Sequence, residues 1–150
     1  MSDSQIIVSN KKSFFNYEIE ERFTCGMRLS GTEIKSIRKG DCSIKESFCY
    51  IENNEIFIKG MFVKKYEYGS HNNHEEVYDR KLLLTKREIS KIRKKLDEKG
   101  FSLIPTHVWL IDGWVKIEIG LGKGKKNFDK RESLKKKDAK IEIDRSVKYG

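Results

Sequence analysis

Residues 102–122 read SLIPTHVWLIDGWVKIEIGLG. Asp112-Gly113 is a two-residue hairpin turn, because both central positions of such a turn need positive φ and this pair tolerates it. After the turn, Val115, Ile117, Ile119 and Leu121 alternate with Trp114, Lys116, Glu118 and Gly120. Successive strand residues point to opposite faces, so one face of this hairpin must enter a core.

The remaining elements are built around that requirement. Residues 47–63, SFCYIENNEIFIKGMFV, predict a second hairpin turning at Asn53-Asn54, since Asn also tolerates positive φ. Residues 17–28, YEIEERFTCGMR, predict a strand with Tyr17, Ile19 and Phe23 on one face and an irregularity near Gly26. LSGTEIKSIRKG, 29–40, predicts a helix of about two turns. Ser30 and Glu33 have capping-box spacing, Leu29 and Ile34 take the staple positions, and Gly40 suits the left-handed stop. In 82–100, Thr85 and Glu88 repeat the box, Ile89, Ile92 and Leu96 form an apolar stripe, and Gly100 ends the helix. The first dozen residues read as a loose arm. The class is mainly β (α+β), with five or six strands and two short helices, a number that suits a small antiparallel barrel such as the oligonucleotide-binding fold. At 150 residues the chain is one domain with a tail.

The net charge of +9 is unevenly placed. Residues 81–100 hold eight bases against three acids, and residues 123–150 hold eleven against five. Within the latter, GKGKKNFDKRESLKKKDAK offers only Phe128 and Leu134 as large apolar side chains. Ala139, Ile143 and Val147 make a narrow helical stripe, too thin to dock firmly, and repulsion among Lys135, Lys136 and Lys137 opposes the free helix. The expectation is a tail that is disordered alone and orders on an anionic surface. Clustered positive charge favours a polyanion, most often nucleic acid; a solvated lysine-rich surface is the alternative that charge alone leaves open. Lys11, Lys12, Lys35, Arg38, Arg80 and Lys81 can supply charge around a barrel, and Trp109 and Trp114 read as core or barrel-lip residues.

Catalytic chemistry is hard to place. His71 and His74, in GSHNNHEEV, have no cysteine near them in sequence and read as a polar loop rather than a metal pair. His107 lies beside a strand and reads as structural. No nucleophile elbow, Walker loop or dinucleotide fingerprint is present, and GLGKGKK lacks the Lys-Ser/Thr end of a phosphate loop. Cys25, Cys42 and Cys49 are odd in number and set among apolar neighbours, as in reduced, buried thiols of a cytoplasmic protein. No signal peptide or membrane span is apparent. The chain reads as a binding protein with no cofactor, not an enzyme.

The ordered segments NKK at 10–12, GTEIKSIRKG at 31–40, RKLLL at 80–84, KREI at 86–89 and GKGKKNFDKRE at 122–132 give the chain a resemblance to the SsrA-binding protein (small protein B) family, from about Asn10 to Lys148. The resemblance implies a six-stranded antiparallel barrel of oligonucleotide-binding type with two or three flanking helices. The chain then divides into a flexible arm at 1–9, to which the resemblance assigns no role, a barrel domain at 10–122 and a basic tail at 123–150. It implies two partners, the tRNA-like domain of transfer-messenger RNA and small-subunit rRNA of the ribosome, with the protein a monomer on the RNA. Delivery of that RNA to stalled ribosomes would follow, with the tail helical in the decoding centre and the empty mRNA path.

Carried over residue by residue, the resemblance points to Asn10, Lys11, Thr24, Lys35, Arg38, Asn73, Arg80, Lys81 and Leu83 as RNA-facing positions. In the tail it points to Gly124, Lys125, Lys126, Phe128, Asp129, Lys130 and Arg131, with Lys135, Lys136 and Lys137 along the mRNA path. Three positions depart from the family pattern. Phe128 stands where His or Tyr is common, and can stack but not hydrogen-bond. Thr24 stands where Glu is usual, and loses a carboxylate contact. Tyr78-Asp79 stand where Arg-Pro is usual, so phosphate attraction falls locally. The rival readings are another ribosome-associated RNA-binding barrel, separated only by the ordered motif set, and an RNA-acting enzyme, which lacks a nucleophile or metal cluster.

Overall fold

The computed structural model describes residues 4–69 and 71–125. In chain order the elements are β1 (Ser4–Ser9), α1 (Lys11–Asn16), β2 (Tyr17–Met27), α2 (Gly31–Arg38), β3 (Cys42–Ser43), β4 (Phe48–Glu52), β5 (Glu55–Lys59), β6 (Phe62–Val63), β7 (Arg80–Leu83), α3 (Lys86–Leu96), β8 (Phe101–Ile111) and β9 (Trp114–Gly124). The large sheet has the order β1-β8-β4-β5-β7-β2-β9, and β8 pairs with β9 as well. The sheet therefore curls back on itself into an antiparallel, partly closed ring. Its seam is thin, because β4 meets β8 through the single pair Cys49 and Leu103.

Both hairpins turn where their residues direct. Asn53 and Asn54 have φ of 50° and 62°, and Asp112 and Gly113 have φ of 49° and 84°. Helices α2 and α3 carry complete capping boxes, Ser30 with Glu33 and Thr85 with Glu88. Along β9, Ile117, Ile119 and Leu121 are sealed from solvent. They meet Ile56 and Ile58 of β5, Leu82 of β7, Ile37 of α2 and Ile92 of α3 in one core.

Three expectations fail, the first two for a packing reason. The flexible arm expected over 1–9 is, from Ser4 to Ser9, a strand paired with β8 from His107 to Ile111. Because β4 reaches only Leu103 of β8, the upper edge of β8 is open, and the β-branched run Ile6-Ile7-Val8 fills it. The loose segment then continues into α1, where the Ser13 hydroxyl donates to the Asn10 carbonyl at 2.5 Å. In β2 the irregularity lies between Ile19 and Glu21, not near Gly26. This bulge reverses the alternation, so Ile19 leaves the face that Phe23 occupies. Ile19 lies across the outer face, where a Cβ at Gly120 would be 2.9 Å from its Cγ2. Only glycine admits that approach. Finally, β9 continues to Gly124, past the expected boundary at 122.

Candidate nucleic-acid interface

The core-facing alternation of β2, β7 and β9 leaves a second set of side chains outside. Thr24 and Gly26 on β2, Leu83 on β7 and Lys116 and Glu118 on β9 form it, through the registers Thr24–Glu118, Gly26–Lys116 and Gly26–Leu83. A Cβ at Gly26 would lie 3.5 Å from Leu83 Cδ1 and 3.6 Å from Lys116 Nζ. Leu83 is half exposed and Thr24 exposed. Gly26 thus leaves a shallow floor with an apolar wall on one side and an ammonium on the other.

Helix α2 follows β2, the strand that carries Thr24 and Gly26. Its basic residues Lys35 and Arg38 are exposed, and Arg38 Nη2 donates to the Gly113 carbonyl at 2.8 Å, fastening the helix to the β8–β9 turn. Lys35 and Lys39 both lie over the Tyr66 ring, at 5.3 and 5.4 Å. The helix therefore presents cations beside aromatic faces. Beside its N-terminus, Arg28, Phe57, Tyr78 and Lys81 line an open cleft of about 520 Å³.

Two residues expected to face RNA are instead internal. Arg80 is 1% exposed. Its Nε donates to Glu33 Oε2 at 2.5 Å, Nη1 to the Met61 carbonyl at 2.8 Å, and Nη2 to the carbonyls of Glu75 and Glu76. Arg80 sits at an inward position of β7, beside Leu82, so its guanidinium reaches a buried carboxylate rather than phosphate. Asn10 is 4% exposed, and its amide donates to the carbonyls of Ile44 and Pro105. It ties the start of α1 to β8.

The others divide between surface and scaffold. Lys11 is exposed on α1, and Lys81 is half-buried against Glu55 at 3.2 Å. Asn73 is half-buried and closes its own loop, donating to the Tyr66 carbonyl at 2.8 Å and accepting from the Tyr66 N–H. The Tyr78-Asp79 departure has structural partners: the Tyr78 hydroxyl donates to Glu33 at 2.6 Å, and Asp79 accepts from the Tyr50 hydroxyl at 2.5 Å. His74 is bound to Thr32 and Val63, and among the described residues no group of side chains is arranged to hold a metal. No helix among them is long and apolar enough to cross a membrane. Gly124 ends β9, and the Lys125 N–H donates to the Asn16 carbonyl at 2.9 Å. Lys126, Phe128, Asp129, Lys130, Arg131, Lys135, Lys136 and Lys137, with the tail conformation expected for them, lie outside the described residues.

Sequence reasoning missed two features of this face. One is the pair Tyr66 and Tyr68, whose rings pack edge to face at 5.6 Å. Their YEY spacing was visible, but not the two lysines that α2 brings over them. The other is Glu118, whose Oε2 accepts from Thr106 at 2.6 Å and lies 2.7 Å from His107 Nδ1. Partial burial alone would raise the Glu118 pKa, but the bonds from Thr106 and His107 and the nearby Arg22 outweigh it and lower the pKa. Glu33 behaves alike: burial pushes it up, the bonds from Tyr78, Arg80 and Ser30 pull it down, and the net shift is downward.

The surface just described, cationic with aromatic and apolar floor residues, is one to which RNA phosphates and bases can bind. The family model described as SmpB protein matches residues 7–149. An SsrA-binding protein of Fusobacterium nucleatum subsp. nucleatum is 50% identical over 143 residues, covering 95% of this chain and 97% of that one. The SsrA-binding protein of Bacillus subtilis is 48% identical over 144 residues, covering 96% and 92%. A chain of the solved structure "tmRNA-SmpB: a journey to the center of the bacterial ribosome" aligns with a TM-score of 0.67 and 33% identity, over 85% of this chain and 93% of that one. With its motifs in order along almost the full length, the chain belongs to the SmpB, or SsrA-binding protein, family.

Proposed function

We propose that this protein binds the tRNA-like domain of transfer-messenger RNA and carries it to stalled ribosomes for trans-translation, in which the nascent chain is rescued and tagged. The observation that carries this reading is family membership over residues 7–149. Exposed Thr24 and Leu83 beside the Gly26 floor, and exposed Lys35 and Arg38 on α2, support it.

The ring of β2, β4, β5, β7, β8 and β9 is a six-stranded barrel of oligonucleotide-binding type, and it grips the RNA. Lys11, Thr24, Lys35, Arg38, Lys81 and Leu83 touch the RNA. Asn10, Asn73 and Arg80 hold the elements that present them. The body spans 10–122 with β9 extended to Gly124, and the basic tail follows. Gly124, Lys125, Lys126, Phe128, Asp129, Lys130 and Arg131 occupy the decoding centre, and Lys135, Lys136 and Lys137 follow the empty mRNA path. The protein catalyses nothing and acts in the cytoplasm as a monomer on the RNA.

Sequencing the RNA that copurifies with the protein tests this reading. Transfer-messenger RNA enriched over tRNA and rRNA is the expected result. Equal recovery of all three overturns it and favours a general ribosome-associated RNA-binding barrel.

A further inference from the structure

On the outer face, Thr24 of β2 stands directly opposite Glu118 of β9. Side chains so paired in an antiparallel sheet have Cβ atoms about 4.5–5.5 Å apart. A function performed by a carboxylate on one strand is therefore within reach of a carboxylate on the other. Glu118 is the carboxylate present, and it is held in place. Its Oε2 accepts from Thr106 and lies against His107, with Arg22 Nη1 at 4.0 Å. Phe14 of α1 backs this group, 5.7 Å from the His107 ring and under the Arg22 guanidinium. Glu118 Oε1 makes no hydrogen bond among the described residues. It is not sealed either, since the one buried side-chain oxygen or nitrogen without a partner among them is Asn10 Oδ1. Phe14 of α1 lies on the His107 side of the carboxylate, and Thr24, its cross-strand neighbour on β2, is exposed.

A carboxylate on a phosphate-binding surface opposes general attraction. It contributes where it accepts a hydrogen bond from a nucleotide N–H or O–H that reaches it, as a base amino group or a ribose 2′-hydroxyl can. We propose that Glu118 Oε1 is a specificity determinant of the RNA site, accepting a donor from a nucleotide seated over Thr24 and Gly26, in the place a carboxylate at position 24 would serve. Thr106 and His107 are positioning residues. This inference rests on the RNA-binding reading above.

The test is binding of full-length protein to a transcript of the tRNA-like domain and to an unrelated single-stranded RNA, for wild type, E118Q, and E118Q with T24E. Glutamine keeps the side-chain shape, and thermal melting of each variant reports folding separately. The expected result is about a tenfold loss for the tRNA-like RNA in E118Q, as for a charge-assisted hydrogen bond. Binding of the unrelated RNA is unchanged or tighter, and T24E restores the preference. Loss that follows the melting temperature and is not rescued by T24E assigns Glu118 to the scaffold and overturns the proposal. So does a gain for both RNAs, which is simple relief of repulsion. A wild-type protein without preference for the tRNA-like RNA overturns the RNA-binding reading itself, whereas wild-type preference with E118Q unaffected overturns only the role of Glu118. Transcripts with 2′-deoxy positions divide the two donors: loss of the E118Q effect assigns the ribose, and its persistence assigns the base edge.

Discussion

Arg80 Nε and Glu33 Oε2 are 2.5 Å apart, with side chains 0% and 1% exposed. This ion pair joins β7 to the first turn of α2, so it fixes the helix that carries Lys35 and Arg38. Removing one partner leaves the other charge buried. Arg80→Ala is expected to cost about 3–5 kcal/mol of stability, measured by urea denaturation. RNA binding by the protein that remains folded is expected to keep its dependence on salt, because the Arg80 guanidinium is buried against protein partners. A large fall in the salt slope with unchanged stability would return Arg80 to the interface.

The same pair predicts an acid-sensitive fold. The Glu33 pKa is lowered from its ordinary 4.5 in the folded state. A depressed carboxylate contributes stability that is fully present above the unfolded pKa and is lost as pH falls through the folded one. Stability is therefore expected to fall below about pH 4.5, with Glu118 adding to the effect in the same direction. Urea midpoints collected down the acid range check this, and Glu33→Gln should flatten the profile. An unaltered acid slope in that variant would show that Glu33 is not the titrating group.

Arg38 is the exposed cation whose removal should be felt most by RNA. Its guanidinium also holds the Gly113 carbonyl. Arg38→Ala is expected to weaken RNA binding by about 1–3 kcal/mol, measured by filter binding or anisotropy, and to reduce the log–log salt slope by about one phosphate contact, roughly 0.7–0.9. An unchanged dissociation constant would remove it from the site.

Ending the chain after Lys125 separates grip from delivery. Because β9 ends at Gly124 and the Lys125 N–H is bonded to Asn16, this truncation keeps the whole sheet. Binding to the tRNA-like RNA should stay near wild type while tagging on stalled ribosomes is lost. A drop in RNA affinity of orders of magnitude would make the tail the main grip.

The caps give a local control. Ser30→Ala removes the acceptor for the Glu33 N–H and should cost about 1 kcal/mol. It should also cost more than Thr85→Ala: each hydroxyl donates to its own N3 carboxylate, but Glu33 belongs to the buried pair whereas Thr85 and Glu88 meet at an exposed contact. Equal losses in the two melting curves would mean that the cap and the ion pair are energetically separate.

How much of this was legible depends on the range of the interaction. The hairpin turns, capping boxes and β9 alternation are local, set by φ preferences and by residues three or four apart, and the structure keeps them. The order of motifs carries the family. The strand at Ser4–Ser9 was hidden because its partner is an edge about a hundred residues away, open only because β4 stops at Leu103. The β2 bulge was hidden because the space that admits Ile19 belongs to Gly120 and Gly122 on another strand.

The candidate site divides in the same way. The sequence by itself determined which residue types are available: a basic helix at 31–38, a mixed basic and apolar RKLLL segment, a lysine-rich tail. Only the tertiary structure decided that Arg80 and Asn10 turn inward to buried partners while Thr24, Leu83 and Glu118 share one outer face. A strand's two faces are chemically distinct only once a core exists on one of them, and a guanidinium finds a buried carboxylate only after the helix that carries it has docked.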